Sequence, residues 1–331
     1  MGVLYKLYFY FGVRFFSCMI SLMDCIIWNC QGAASKEFNR TLKDMLKFYK
    51  PGILGLLEPK VSGAQADSLC NQWGFENWVR VEAFGFSGGI WVFWKETLQI
   101  SVIKTHPQFI HLRVQSNGIN SWLLTVVYGS PNFNLRKLLW MDLNSEIKDN
   151  LDPWMVVGDF NSVVSLEEVS SQAQFNFNRC KGFRDWIFDN GLIDMGFVGS
   201  ILTWSRGSHG QLFKGARLDR AMCNGAWREL FDEASLLHLP KNRSDHAPIL
   251  VRIDSMNGSH KDSISSFRFQ AAWLTHPEFH NLIQDNWDSG DTITNNNTRI
   301  ASVLSAWNSN TFGNIFRRKR RLWARLGGVQ E

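Results

Sequence analysis

The sequence predicts an α/β fold in which two packed β-sheets are covered by helices. Three features carry this reading. A short apolar run, an amphipathic helix and a second apolar run follow one another between Asp24 and Leu57. A strand-rich middle, from Phe75 to Tyr128, is punctuated by Gly, Pro and Asn. A third apolar run, Trp154 to Val157, leads into Gly158-Asp159-Phe160-Asn161. Short apolar runs of this kind read as strands buried on both faces, with helices as their cover.

Taken in order, residues 3 to 23 are rich in Leu, Phe, Tyr, Val and Ile, but Lys6 and Arg14 interrupt them. No small-residue cleavage pattern follows. Residues 1–23 therefore read as an extension outside the domain, with membrane or secretory targeting as the minor alternative. Asp24 to Cys30 is the first strand. Phe38 to Tyr49 carries Leu42, Met45, Leu46 and Tyr49 at helical spacing, and Pro51-Gly52 stops it. Ile53 to Leu57 is the second strand and ends at Glu58. Strands are expected at Phe75–Phe84, Gly89–Trp94, Gln99–Thr105, Phe109–Val114 and Ser121–Tyr128. A helix is expected at Leu135–Ile147, the buried strand at Trp154–Val157 and another helix at Cys180–Asn190. Later strands are expected at Ile201–Ser205, Arg217–Cys223, Glu233–Leu239 and Ala247–Ile253. Ser255 to Ser266 is a polar linker. Beyond it Ile300, Val303, Leu304 and Trp307 have helical spacing, and a basic helix follows. The domain is thus placed at 24–254, and 255–331 forms a linker and a helical basic tail.

The chain has 331 residues, 45% of them hydrophobic, which suffices for one large domain or two smaller ones. A net charge of +5 is compatible with a phosphate-rich partner. Part of that charge is the cluster Arg317, Arg318, Lys319, Arg320, Arg321 and Arg325. The six cysteines contain no C-x-x-C pair and no zinc-like Cys/His spacing, so free thiols are expected.

Polar residues recur where apolar strands end. Asn29 follows I-I-W, Glu58 follows I-L-G-L-L, Tyr128 follows L-L-T-V-V, and Asp159 and Asn161 follow W-M-V-V-G. Asp219 lies in R-L-D-R-A-M, and Asp245-His246 precede A-P-I-L-V. Each has an ordinary structural reading alone: a turn, a solvated charge, a capped loop. Strand ends on one rim of a sheet are also where rigid elements hold loop residues in fixed geometry. The recurrence in order favours a site.

The ordered set I-I-W-N-C-Q-G, G-L-L-E-P-K, S-G-G-I-W-V, V-V-Y-G-S-P, V-V-G-D-F-N, L-T-W, R-L-D-R-A and S-D-H-A-P-I resembles the signature of the endonuclease/exonuclease/phosphatase superfamily. The resemblance spans Asp24 to Asp254. Its wording is most like the endonuclease domain of plant non-LTR (LINE-type) retrotransposons. The tail, with F-R-F-Q-A-A-W-L-T-H-P-E-F and F-G-N-I-F-R-R-K-R-R, resembles the spacer before their reverse transcriptase. No Y/F-x-D-D polymerase motif occurs.

The resemblance implies a DNase I-like four-layer α/β sandwich, two stacked mixed β-sheets flanked by helices. It implies phosphodiester hydrolysis with Mg²⁺, or Mn²⁺ in its place. Glu58 resembles the principal metal ligand, with Asn29 and Asp245 as helpers. Asp159 resembles the group that orients or deprotonates the attacking water, and Asn161 a phosphate ligand. His246 resembles the histidine on the scissile phosphate, Asp219 the carboxylate that orients it, and Tyr128 a phosphate contact made as phenol or phenolate. Two departures stand out. Pro59 replaces a Thr common among relatives, and Gln31 stands where some abasic-site enzymes have Asp, which weakens a repair reading. The loop Gly207 to Gly215 reads equally as a DNA-contacting hairpin or a solvated turn.

The function expected is a DNA-nicking endonuclease whose partners are DNA and the element's RNA, acting in the nucleus and without a stable membrane partner. The rival readings are a catalytically silent transposon remnant that at most binds nucleic acid, and a phosphatase of the same superfamily.

Overall fold

The computed structural model describes residues 23–83, 88–116, 119–147, 152–171, 175–207, 213–253, 276–288 and 290–311. These fall into two compact units, one over 23–253 and one over 276–311. The expectations for 1–22, for the linker and for the basic tail lie outside the described residues. No described helix is long and apolar enough to cross a membrane.

The large unit opens with β1 (Cys25–Asn29), α1 (Lys36–Tyr49) and β2 (Ile53–Leu57), with β2 parallel to β1. Ser35 caps α1 by accepting a bond from the Phe38 amide, and Lys50 closes it in the left-handed conformation ahead of Pro51. α2 (Gly63–Cys70), β3 (Asn77–Val81) and β4 (Ile90–Trp94) follow. β13 (Ser235–His238) and β14 (Ile249–Arg252) complete the first sheet in the order β13-β14-β1-β2-β4-β3. The first strand is therefore interior, flanked by β2 and by the last strand of the unit.

The second sheet takes β5 (Gln99–His106), β6 (Phe109–Ser116), β7 (Ile119–Tyr128), β8 (Trp154–Asp159), β9 (Ile193–Asp194) and β12 (Asp219–Cys223). Its order is β5-β6-β7-β8-β12-β9. α3 (Phe133–Ile147) connects β7 to the parallel β8, and α4 (Phe177–Asp189) lies further on. β8 is interior and buried along its length, as its apolar run requires. A hairpin of β10 (Trp204–Arg206) and β11 (Lys214–Ala216) and a short α5 (Gly225–Leu230) complete the unit.

Alternation along the strands builds three apolar layers. Ile27, Val92, Ile110, Leu124, Val126, Met155, Val157, Ala221 and Val251 form the core between the sheets. The opposite face of the first sheet, with Ile26, Trp28, Leu54, Trp91 and Phe93, packs on Phe38 and Leu42 of α1 and Ala66 of α2. The opposite face of the second, with Leu123, Val127, Trp154 and Val156, packs on Leu139 of α3 and Phe183 and Trp186 of α4. The result is the expected sandwich of two six-stranded mixed sheets between helices. Each fully buried large side chain contributes roughly 1.5–3 kcal/mol.

Sequence and structure differ in places. The strand expected at Ile201–Ser205 is reduced to Trp204–Arg206. Upstream, Gly199 holds φ +118° with its backbone against the His238 carbonyl, and Val198 bridges to Leu237 instead. α2, α5, β9 and β11 had no clear periodicity to announce them. The small unit pairs α6 (Phe279–Asn286) with α7 (Ile293–Thr311), and Phe279, Ile283, Ile300 and Leu304 form its core.

Candidate active site

Parallel β1 and β2 end at one rim of the first sheet, which places Asn29 and Glu58 side by side. In the second sheet Tyr128 pairs with Asp159, and Asp159 with Asp219, so the three are lateral neighbours across β7, β8 and β12. His246 precedes β14. Gly158 permits this: its φ is +147°, and a Cβ there would lie 2.0 Å from the Val127 carbonyl oxygen. Glycine alone lets β7 and β8 run this close beside Asp159.

The two rims meet through hydrogen bonds. The Asn29 amide donates to Glu58 Oε1 at 3.1 Å and to Asp159 Oδ2 at 2.9 Å, and its nitrogen lies 3.5 Å from His246 Nε2. His246 Nδ1 is 2.9 Å from Asp219 Oδ2, and Nε2 is 3.8 Å from Asp159 Oδ2. The Asn161 backbone N–H donates to Asp159 Oδ1 at 2.8 Å, and its side-chain amide donates to Asp159 Oδ2 and to the Gly129 carbonyl. Both hydrogens of that amide are thus engaged, so a phosphate contact by Asn161 would have to displace one bond. Tyr128 lies near enough to Glu58 and Asp159 for both carboxylates to oppose its ionisation. Asp245 Oδ2 accepts from Trp204 Nε1 at 3.0 Å. All eight sequence-predicted residues therefore lie at one end of the sandwich.

Sequence reasoning missed several supporting groups. Lys60 Nζ is 3.4 Å from Glu58 Oε2 and also bonds to Gln31, whose amide donates to Glu58 Oε1 at 3.2 Å. Thr203 Oγ1 accepts from the Leu218 and Asp219 amides, both at 3.0 Å. Ser244 Oγ donates to the Asn29 carbonyl at 2.7 Å and accepts from the His246 amide. Behind β12, Arg217 and Arg220 both pair with Glu168 and Asp194 in a buried network. Hydroxyls and ion pairs of this kind carry no periodic signal.

The electrostatics follow from burial and charge. Burial by itself lowers the pKa of His246, but Asp219, Asp159 and Asp245 outweigh it and raise it to about 9. The ring is an imidazolium at neutral pH. Burial, reinforced by Asp219, raises the Asp159 carboxyl, against His246, Asn161 and Asn29, which lower it. Burial and then Glu58 push the Tyr128 phenol well up, so of the two forms expected the neutral phenol is present. Backbone strain gathers here too. Gln31, Glu58, Lys60, Asn161 and Arg243 are non-glycine residues with φ between +46° and +62°. Such left-handed conformations cluster at functional sites.

Two arrangements could hold a cation. Ligand atoms of Asp159, Asp219 and His246 lie within 4.8 Å of one another. However, the His246 ring lies between the two carboxylates there, 2.9 Å from Asp219 and 3.8 Å from Asp159, so a cation at that place would have to displace those contacts. The opposite side fits better. Asn29 Oδ1 and Asp245 Oδ1 are buried oxygens with no hydrogen-bond partner. Both, like the Glu58 carboxylate, are hard oxygen donors of the kind that Mg²⁺ takes.

This fold and this cluster of carboxylates, amides and imidazolium define a hydrolytic nuclease or phosphatase scaffold. Residues 26–246 match the Endonuclease/Exonuclease/phosphatase family, and the chain belongs to it. Among solved structures it is similar to the endonuclease domain of TRAS1, a telomere-specific non-LTR retrotransposon. That likeness has a TM-score of 0.52 and 14% identity, covering 71% of this chain and 99% of that one. It is also similar to the 3′-5′ exonuclease NExo from Neisseria meningitidis, with a TM-score of 0.54 and 17% identity over 70% of this chain and 100% of that one. A third is the AP endonuclease LMAP from Leishmania major, with a TM-score of 0.55 and 15% identity over 73% of this chain and 93% of that one. At these identities the likeness speaks for the fold alone. Among curated proteins none matches the sequence.

Proposed function

We propose that the chain is a Mg²⁺-dependent phosphodiesterase that nicks DNA. The observation that carries the reading is one polar cluster, Glu58–Asn29–Asp159 with His246–Asp219, joining the rims of the two sheets. The names of the similar structures, an endonuclease domain, an exonuclease and an AP endonuclease, point to DNA. The retroelement-like tail favours nicking over repair, and with it a nuclear setting.

Phosphodiester hydrolysis needs an activated water and stabilisation of the charge that builds on phosphorus oxygens. The His246 imidazolium supplies a fixed positive charge and an N–H donor at Nε2, while Nδ1–H is held by Asp219. Asp159 accepts the proton of the attacking water, and Asn29 and Asn161 orient its carboxylate. Tyr128 offers a neutral hydroxyl. Glu58, Asn29 Oδ1 and Asp245 Oδ1 would hold Mg²⁺, which supplies Lewis-acid stabilisation of negative charge when bound. Lys60 and Gln31 orient the Glu58 carboxylate.

Relaxation of a supercoiled plasmid tests this. With Mg²⁺ the protein should produce open circles whose nicks bear 3′-hydroxyls extendable by a polymerase, and EDTA should stop it. Hydrolysis of a small phosphomonoester without nicking would shift the reading to a phosphatase. No hydrolysis of either substrate with Mg²⁺ or Mn²⁺ would make the chain a silent remnant.

A further inference from the structure

An open cavity of about 530 Å³ lies beside the site, lined by Gln31, Arg206, Arg243, Ser244 and Asp245. We propose that it is a second phosphate subsite, in which Arg206 and Arg243 grip a backbone phosphate of the polynucleotide adjacent to the phosphate being cleaved. The proposal rests on the nuclease reading and deepens it.

Two chain segments build the cavity, and both are tied to the reacting centre. The end of β10 carries Ser205 and Arg206, and the segment before His246 carries Lys241 and Arg243. The Ser205 amide donates to the Asp245 carbonyl at 3.0 Å, and the Lys241 ammonium bonds to the Ser205 hydroxyl. Trp204 bridges to His246 and bonds to Asp245. On the other wall Gln31 donates to Glu58, so the floor of the cavity reaches the proposed cation site. Lys214 sits opposite Arg206 in the hairpin register and adds a further cation to the edge.

The charges on this edge are not used internally. Arg217 and Arg220 are ion-paired with Glu168 and Asp194. Arg206, Lys214 and Arg243, by contrast, form no ion pair with a carboxylate among the described residues, and all three are exposed. Two arginines lining one solvent-open cavity suit the tetrahedral oxyanion of a phosphodiester, which accepts forked N–H donors. A substrate that ended at the scissile phosphate would leave both arginines unanswered. A continuing strand brings its next phosphate to them. This favours a polynucleotide over a small phosphate ester.

The test separates this proposal from the reading it rests on. Binding of a fluorescent DNA duplex is measured with EDTA, where no cleavage occurs, as a function of salt. Nicking with Mg²⁺ is measured in parallel. Each phosphate contact contributes about 0.9 to the slope of log K against log salt. Because both arginines answer one phosphate, Arg206→Ala and Arg243→Ala should each lower the slope by part of that amount, and the double variant by about 0.9. Arg243→Lys should keep most of the slope because it keeps the charge. In nicking, the alanine variants should raise KM far more than they lower kcat. Lys47→Ala, at the far end of α1 from this rim, should change neither. If the parent nicks DNA but the arginine variants keep its salt slope, the subsite is overturned and the nuclease reading stands. If the parent does not nick yet the variants lose slope, the subsite stands and the nuclease reading falls. If the parent binds no duplex at all, the subsite is overturned.

Discussion

Imidazole and carboxylate at 2.9 Å set the protonation of His246, and the consequence can be read directly. In the metal-free protein the ring should titrate near pH 9 by NMR, and Asp219→Asn should bring it down sharply. The sign for stability follows. A raised imidazole pKa contributes stability that is fully present below the unfolded value near 6.5 and is lost as pH rises through about 9. The unfolding midpoint should fall over that window in the parent and less so in the Asp219 variant. His246→Ala should slow nicking by orders of magnitude with little change in duplex affinity, since its contact matters most in the transition state. Glu58→Gln should differ: excess Mg²⁺ should restore part of its rate, because the loss is in cation binding. An equal response of both variants to Mg²⁺ would contradict this division of roles. At this scale the sequence was informative for residues at strand ends, because a polar residue closing an apolar run is conspicuous. It could offer Ser244 as a turn cap, which its bond from the His246 amide matches, but not the distant partners of Lys60, Ser244 and Thr203 or the double engagement of Asn161.

Among the elements, β12 carries opposite burdens on its two faces. Asp219 faces His246, while its neighbour Arg220 is fully buried against Glu168 and Asp194. Removing one member of a buried ion network leaves an uncompensated charge and costs about 3–5 kcal/mol. Arg220→Met should therefore lower the urea midpoint strongly without changing the m-value. Burial would raise the Asp194 carboxyl, but its bond to Arg217 and the charges of Arg220 and Arg217 more than offset it and hold it low. A depressed carboxylate contributes stability above its unfolded value near 3.9, lost as pH falls through the lower folded one. Asp194→Asn should flatten the acid limb of the stability profile, and a parallel limb would contradict the assignment. Gly158→Ala, beside Asp159, should destabilise by at least about 2 kcal/mol, since its Cβ would enter the Val127 carbonyl and its φ would be strained. The R-L-D-R segment was read from the sequence for its aspartate alone. The partner of its arginines was not legible, because Glu168 sits in a single 3-10 turn that no periodicity announces.

For the whole molecule, the layered architecture was legible because apolar runs alternate with amphipathic helices, and buried strands such as β8 can hardly be anything else. The order of strands was not, because register and sheet membership depend on pairings between distant segments. We propose that 24–254 folds by itself: among the described residues, its three apolar layers draw on residues from Met23 to Ile253. A chain ended after Asp254 should unfold at the same urea midpoint as the full chain and nick plasmid at a comparable rate.

One pairing has a consequence in time. β1, the first strand made, is flanked in the finished sheet by β14, with Cys25 opposite Val251. A ribosome adding about 5–20 residues per second needs roughly 10–45 seconds to cover that interval. Throughout it, β1 offers an unpaired edge in the middle of what will become the sheet, and His246 does not yet exist to meet Asn29. On the proposed function, the site of the nascent chain is therefore incomplete, and β1 open to mispairing, until nearly all of the large unit has emerged.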